Sequence, residues 1–431
     1  MEKFVRDALV KHLCEANLLS PKQYGFISGR CTTTQLLFYL DECIKIITQG
    51  GVVDAIYLDF AKAFDTVPHR RLLGKLNSYG IEGNVFNWVQ GFLCNRTQEV
   101  MVNGSKSKSD PVISGVPQGT VLGPVLFVIY INDLLDNITS HGLIFADDTK
   151  ILRLITSRED AIQLQDDVNK LEEWTRIWQV HFNHEKCHVL TLGKFENIRY
   201  AHNYTIMGNE LEHVADEKDL GITIDAELNF DEHISKKIRI ANGIVGQIRR
   251  SFQYLDCETF RRLYCAFVRP HLEYGQAIWS PHLRRNINRI ENVQIRATKL
   301  VDGLAKLDYK DRLKRLNLPT LAHRRQRGDM MEMYKHFHTY DKCTLPSTFI
   351  PRPRETRKHK YQLLISRAKD GERGLQANSF YHRSARVWND LPDTVVSSKS
   401  INAFKNSLDE HWKDNPSIYD HAIKETIDDE E

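Results

Sequence analysis

Asp147 and Asp148 stand side by side between two short apolar runs, Leu143-Ile144-Phe145 and Ile151-Leu152. A third carboxylate, Asp59, closes the run Val52-Val53-Asp54-Ala55-Ile56-Tyr57-Leu58. Two like charges buried side by side are costly unless something positive lies between them. A tight hairpin that leaves both in solvent is one resolution, and a divalent cation is the other. Mg²⁺ prefers carboxylate oxygens in octahedral geometry and usually shares them with substrate phosphates. Carboxylates held in a fixed frame suffice for two-metal phosphoryl transfer, with ions about 3.5–4 Å apart.

Such a frame needs strands. Val52 to Asp59 reads as a buried strand with a carboxylate at its end, and 141–154 as a hairpin whose turn region holds Ala146-Asp147-Asp148-Thr149. Before them, Val5, Leu9, Leu13 and Leu18 space one helix, broken at Ser20-Pro21. A second helix starts in Thr32-Thr33-Thr34 and ends at Gly50-Gly51. A helix is expected from near Pro68 through Leu76, a hairpin around Asn103-Gly104, and an apolar helix from Gly119 to Leu135. Ser157 with Asp160 predicts a capping box for a helix reaching Trp178. Short strands follow at 187–192 and 219–224, then helices near 231–252, 256–268 and 284–300. The pattern predicts an α+β domain followed by a helical one.

Composition bounds the rest. The 431 residues, 41% hydrophobic and 10% aromatic, can build about two to four cored domains. A net charge of +3 says little about partners, and no apolar run is long enough to span a membrane as a helix. The eight cysteines include no C-x-x-C pair, which fits reduced thiols inside a cell, in nucleus and cytoplasm. His336, His338 and Cys343 lack a fourth ligand at zinc spacing.

Several segments resemble one family in its own order. Tyr57-Leu58-Asp59-Phe60-Ala61-Lys62-Ala63-Phe64-Asp65 resembles the first palm motif of non-LTR retrotransposon reverse transcriptases. Ser114-Gly115-Val116-Pro117-Gln118-Gly119-Thr120 through Pro124, followed by Tyr130-Ile131-Asn132-Asp133-Leu134, is similar to the second. Phe145-Ala146-Asp147-Asp148 is similar to the catalytic hairpin, Phe182-Asn183 with Lys186 to the next motif, and Leu220-Gly221-Ile222 to the primer grip. Pro21-Lys22-Gln23-Tyr24-Gly25-Phe26 with Gly29-Arg30 resembles the motif ahead of the palm. The tail, with His271 to Gly275 and Val387 to Pro392, is similar to elements of the jockey and CR1 type.

The resemblance implies an RNA-directed DNA polymerase acting on an RNA template, a DNA primer and dNTPs. Its fold would be a right-hand palm with partial fingers, a helical thumb and a helical C-terminal region. The expected segments are 1–50 partial fingers, 51–226 palm, 227–302 thumb and 303–431 a basic helical region. Asp59 and Asp147 would hold two Mg²⁺, or Mn²⁺ as a substitute, with Asp148 assisting. Phe60 would lie on the nucleotide side, and Phe64 would exclude a 2′-hydroxyl. Gln118 and Gly119 would line the nucleotide and template. Lys186 would donate a proton to pyrophosphate or hold phosphate, or be simply solvated. Gly221 would support the primer or serve as a turn glycine, and Asp65 would pair locally.

The family carries an endonuclease and a first fingers motif upstream, so an N-terminally truncated copy is expected. The alternative function is an inactive remnant that only binds nucleic acid. An RNA-dependent RNA polymerase shares the palm plan, but an aromatic gate at Phe64 argues against it, and the tail suggests no group II intron maturase. Residues 284–327 hold thirteen Arg and Lys, among them Arg312, Arg324 and Arg327. They predict either a solvated face or a thumb tracking a phosphate backbone. Arg352-Pro353-Arg354 with Arg357-Lys358-His359-Lys360 forms a second basic tract, and Asp428-Asp429-Glu430-Glu431 an acidic tail.

Overall fold

The computed structural model describes residues 1–193, 202–342, 345–353, 359–365 and 374–421. Cys343, Arg354, Arg357, Lys358 and the acidic end 428–431 lie outside them. The chain packs as two compact units, Met1–Gln35 with Gln49–Glu217, and Leu36–Thr48 with Lys218–Glu431.

The first unit is built on a five-stranded sheet. Its strands are β1 (Val52–Leu58), β2 (His141–Phe145), β3 (Asp148–Ile155), β4 (His188–Leu192) and β5 (Glu212–His213), in the order β5-β4-β1-β3-β2. β1 is antiparallel to both neighbours, pairing Leu58 with Thr149 and Tyr57 with His188, while β5 runs parallel to β4. Every residue of β1 is buried, as a central strand requires, and its one charged residue, Asp54, accepts from Thr191 Oγ1 and Tyr204 Oη. Leu72, Leu76, Leu126, Ile129, Leu164 and Leu171 from the covering helices complete the core. Burying each such side chain contributes about 1.5–3 kcal/mol relative to exposure.

The helix Arg158–Trp178 begins in the expected capping box, with Ser157 and Asp160 satisfying each other's backbone, and stops at Gln179 in the left-handed region. The turn Asn103-Gly104 has both residues at positive φ, as a type I′ hairpin turn demands. The apolar helix expected over Gly119–Leu135 is shorter, Gly123–Tyr130. Gly119 sits at φ +78°, and beyond Tyr130 the Asn132 side chain bonds the Ser20 N–H and the Leu18 carbonyl. Next to it, buried Lys75 donates to Asp133 Oδ1 at 2.6 Å and lies 3.8 Å from the Trp178 ring centre.

The second unit is helical apart from short strands at its start. Its longer helices are the Leu36–Thr48 part of Thr32–Thr48, Asp231–Ser251, Arg284–Ala297, Leu321–His338, Phe380–Asp390 and Ile401–His411. The expected helix over 256–268 is interrupted: Cys257–Leu263 passes through a five-residue π-turn, Tyr264–Val268, into Arg269–Glu273. Buried Glu291 accepts from Tyr309 Oη and from the Leu321 N–H at the start of a helix. Among the described residues, no helix is long and apolar enough to cross a membrane.

Candidate active site

Asp59 lies one residue past the end of β1, where the central strand leaves the sheet. Its backbone carbonyl accepts from Asn183 N at 2.8 Å, and Ala61 N donates to His181 O at the same distance. The Phe60 and Phe182 rings lie 4.6 Å apart beneath this junction. The segment Phe182-Asn183 is thereby zipped alongside Asp59, and the short 3₁₀ turn His184–Lys186 brings Lys186 Nζ to 3.0 Å from Asp59 Oδ2. Cys187 Sγ lies 3.5 Å from the Asp59 N–H, and burial pushes its thiol up to about 11. It is therefore a packed neutral group and not a nucleophile.

The β2–β3 hairpin brings the second carboxylate. Phe145 pairs with Asp148, and Ala146-Asp147 form the two-residue turn. Ala146 has φ +55°, the sign such a turn needs at its first central position, at a cost of roughly 1 kcal/mol for a residue other than glycine. Asp147 is half-buried and Asp148 exposed. Burial raises the Asp147 pKa above the ordinary carboxylate value, its own backbone N–H opposes this, and the Asp59 charge raises it again. The Asp59 carboxylate in turn holds the Lys186 ammonium above its usual value.

Asp59 and Asp147 thus share one electrostatic field, with a lysine as the nearby cation. Hard oxygen donors in mutual repulsion suit a divalent ion. Among the described residues, no three His, Cys, Asp or Glu side chains converge as a closed cage. Two carboxylates are fewer ligands than a divalent ion takes, so an ion held here would need further oxygens.

The neighbouring motifs interlock. Val116 N donates to Phe64 O at 2.7 Å, and Ser114 Oγ to Asp65 O at 2.9 Å. A Cβ at Gly115 would come within 2.8 Å of the Asp65 carbonyl oxygen, so only glycine allows this approach. Asp65 pairs locally, accepting from Gln118 Nε2 at 2.9 Å. The Phe64 ring stacks on Phe127 with centres 4.4 Å apart. Phe60, expected on the nucleotide side, has only 4% of its surface exposed and packs its ring against Phe182.

Gly119 has open space where a Cβ would stand, and its positive φ is what calls for glycine. Gly221 belongs to the second unit, in the turn Leu220-Gly221 between Asp216–Asp219 and Ile222–Asp225. Tyr274 Oη donates there to Leu220 O at 2.9 Å. Arg30 turns inward onto the carbonyls of Ser20 and Gln23, at 2.9 and 2.6 Å.

Much of the basic run at 284–327 is engaged within the second unit. Arg285 pairs with Asp231, Arg324 with Glu273 and Arg327 with Asp409, while buried Arg312 bonds Thr298 and the Leu307 carbonyl.

A family model described as reverse transcriptase (RNA-dependent DNA polymerase) matches residues 1–254, and the chain belongs to that family. Its relatives include the RNA-directed DNA polymerase from mobile element jockey. The Drosophila melanogaster protein is 26% identical over 70% of this chain and 34% of its own length. That of Drosophila funebris is 28% identical over 65% and 32%. A probable RNA-directed DNA polymerase from transposon X-element of Drosophila melanogaster matches at 26% over 68% and 33%. These matches bear out the resemblance to non-LTR retrotransposon reverse transcriptases. The chain spans about a third of the length of these relatives. Among solved structures, apo telomerase from Candida tropicalis aligns at 10% identity and TM-score 0.41, covering 73% of this chain and 53% of that one.

Proposed function

We propose that this chain is the polymerase portion of a non-LTR retrotransposon reverse transcriptase, joining a dNTP to a primer 3′-hydroxyl on an RNA template. Within the two units, 1–50 would serve as partial fingers, 51–226 as palm, 227–302 as thumb and 303–431 as a basic C-terminal region. The observation that carries the reading is the convergence of Asp59 and Asp147 in one field beside Lys186.

Asp59 and Asp147 hold two divalent cations, Mg²⁺ in the cell, and Asp148 assists from the exposed side of the turn. Such ions, when bound, acidify the attacking hydroxyl and offset charge on the leaving pyrophosphate. Lys186, already charged and close to Asp59, holds the phosphate end or supplies its proton. Phe64, braced on Phe127, sits under the sugar and excludes a 2′-hydroxyl. Gln118, oriented by Asp65, lines the nucleotide and template together with Gly119. Gly221 supports the primer from its turn.

Primer extension on poly(rA)/oligo(dT) with Mg²⁺ or Mn²⁺ tests this, comparing dTTP with UTP and wild type with Asp59→Ala. Extension with dTTP alone, lost in the variant, is the expected result. A folded wild-type chain that binds the duplex without extending it would overturn the reading in favour of a nucleic-acid-binding remnant.

A further inference from the structure

The turn that carries Asp147 has a polar problem of its own. Ala146 is buried, and its N–H is not among the bonds that close the two-residue hairpin, because the ladder ends at the pair Phe145–Asp148. A buried amide without a partner is destabilising, and this one belongs to a left-handed alanine directly before a carboxylate under repulsion.

The partner arrives from far away in sequence. The segment 22–24 runs along the outer edge of β2, with Tyr24 N donating to Ile144 O at 2.8 Å and Ile144 N to Lys22 O at 2.9 Å. This lays the fully buried side chain of Gln23 behind the turn. Its Oε1 accepts from Ala146 N at 3.0 Å and from Gly25 N at 2.7 Å. Two N–H groups aimed at one atom require oxygen there, which fixes the orientation of the amide. Nε2 has no hydrogen-bond partner among the described residues, so the side chain is held chiefly for its acceptor. A Cβ at Gly25 would lie 2.5 Å from Ala146 N, so the strap and the turn touch backbone to backbone. A neutral acceptor suits this place, since a carboxylate would add another negative charge near Asp147.

We propose that Gln23 is a positioning residue for catalysis: its Oε1 clamps the Ala146 amide, holding the turn in the conformation that sets Asp147 toward Asp59. This rests on the assignment of Asp147 as a metal-holding carboxylate, while the clamp itself can be read without any activity. A displacement of about 1 Å in a reacting array costs on the order of a hundredfold in rate.

The test uses the full chain and three variants: Gln23→Met, which keeps the size and loses the acceptor; Gln23→Glu, which keeps the acceptor; and Ala146→Gly. Hydrogen exchange over 143–150 is measured first. Gln23→Met should speed exchange at the Ala146 amide roughly tenfold or more while the β1 amides stay protected, and Gln23→Glu should stay near wild type at acidic pH, where its carboxyl is neutral and keeps the acceptor without the charge. Single-dTTP incorporation should fall about ten- to a hundredfold in Gln23→Met, mostly in kcat, with the primer–template KM within a few-fold. Adding Ala146→Gly to Gln23→Met should recover part of that loss, because glycine takes positive φ without support; a role in packing alone would show no such coupling. Should Gln23→Met fail to fold, Gln23→Asn, one methylene short, makes the same comparison. Unchanged exchange at Ala146 overturns the clamp whatever the activity. Accelerated exchange in a chain whose wild type does not polymerise upholds the clamp and overturns the functional reading instead. Accelerated exchange with an unaltered rate overturns the catalytic role.

Discussion

The candidate site and the architecture around it treat charge in opposite ways, and buried Lys75 paired with Asp133 in the first unit falls on the architectural side. At the site, Asp59 and Asp147 are left in mutual repulsion, with one exposed lysine in attendance. In the second unit, charges are matched: Asp329 with Arg383 at 2.9 Å, Glu273 with Arg324, and Glu291 with a tyrosine and a helix start. Its buried histidines are held neutral, His233 near about 3 and His323 near about 4, both chiefly through burial. Unspent charge marks a place prepared for a ligand, and matched charge marks architecture.

Three experiments press on that contrast. The largest effect is expected from Asp147→Asn, which should lower incorporation by about a thousandfold or more while leaving RNA affinity in place. The same variant should raise the melting temperature at pH 7. The Asp147 pKa is raised in the folded chain, so its ionised form opposes folding above the ordinary carboxylate range, and the gain should fade as pH drops through that range. Equal loss of activity and RNA binding in a folded variant would remove Asp147 from the metal site.

Next is Arg383→Ala, which strands the carboxylate of Asp329 in the second unit. Urea unfolding of that unit should lose about 3–5 kcal/mol. A loss near zero would mean that the pair is not architectural.

The smallest effect is a pH dependence confined to the second unit. His233 and His323 titrate lower folded than unfolded, so the unfolded chain binds more protons between those values and stability falls on acidification. Between pH 7 and 5, unfolding should lose on the order of 2 kcal/mol for each. His233→Asn should flatten part of that slope; an unchanged slope would assign it to other groups.

The sequence makes local features legible and long-range ones opaque. Asn103-Gly104, the Ser157–Asp160 box and the apolar run of β1 each carry their own cause within a few residues, and each forms as expected. The helix Gly83–Leu93 lies outside the expected elements although Val85, Trp88, Val89, Phe92 and Leu93 space one apolar face that packs on the core. The basic run at 284–327 reads as a cationic face because partners such as Asp409 lie some 80 residues away. Asp59 and Asp147 stand out by residue type and motif, whereas Gln23 looks like one polar residue among several until its reach to Ala146 is seen.

The strap that carries Gln23 does something further for the sheet. An outermost strand presents a row of unpaired backbone groups that another chain can extend. On the β2 side, Lys22 and Tyr24 occupy that row at Ile144, and on the other side β5 is only two residues long. The molecule caps its own sheet, turning a potential site of self-association into an intramolecular seam.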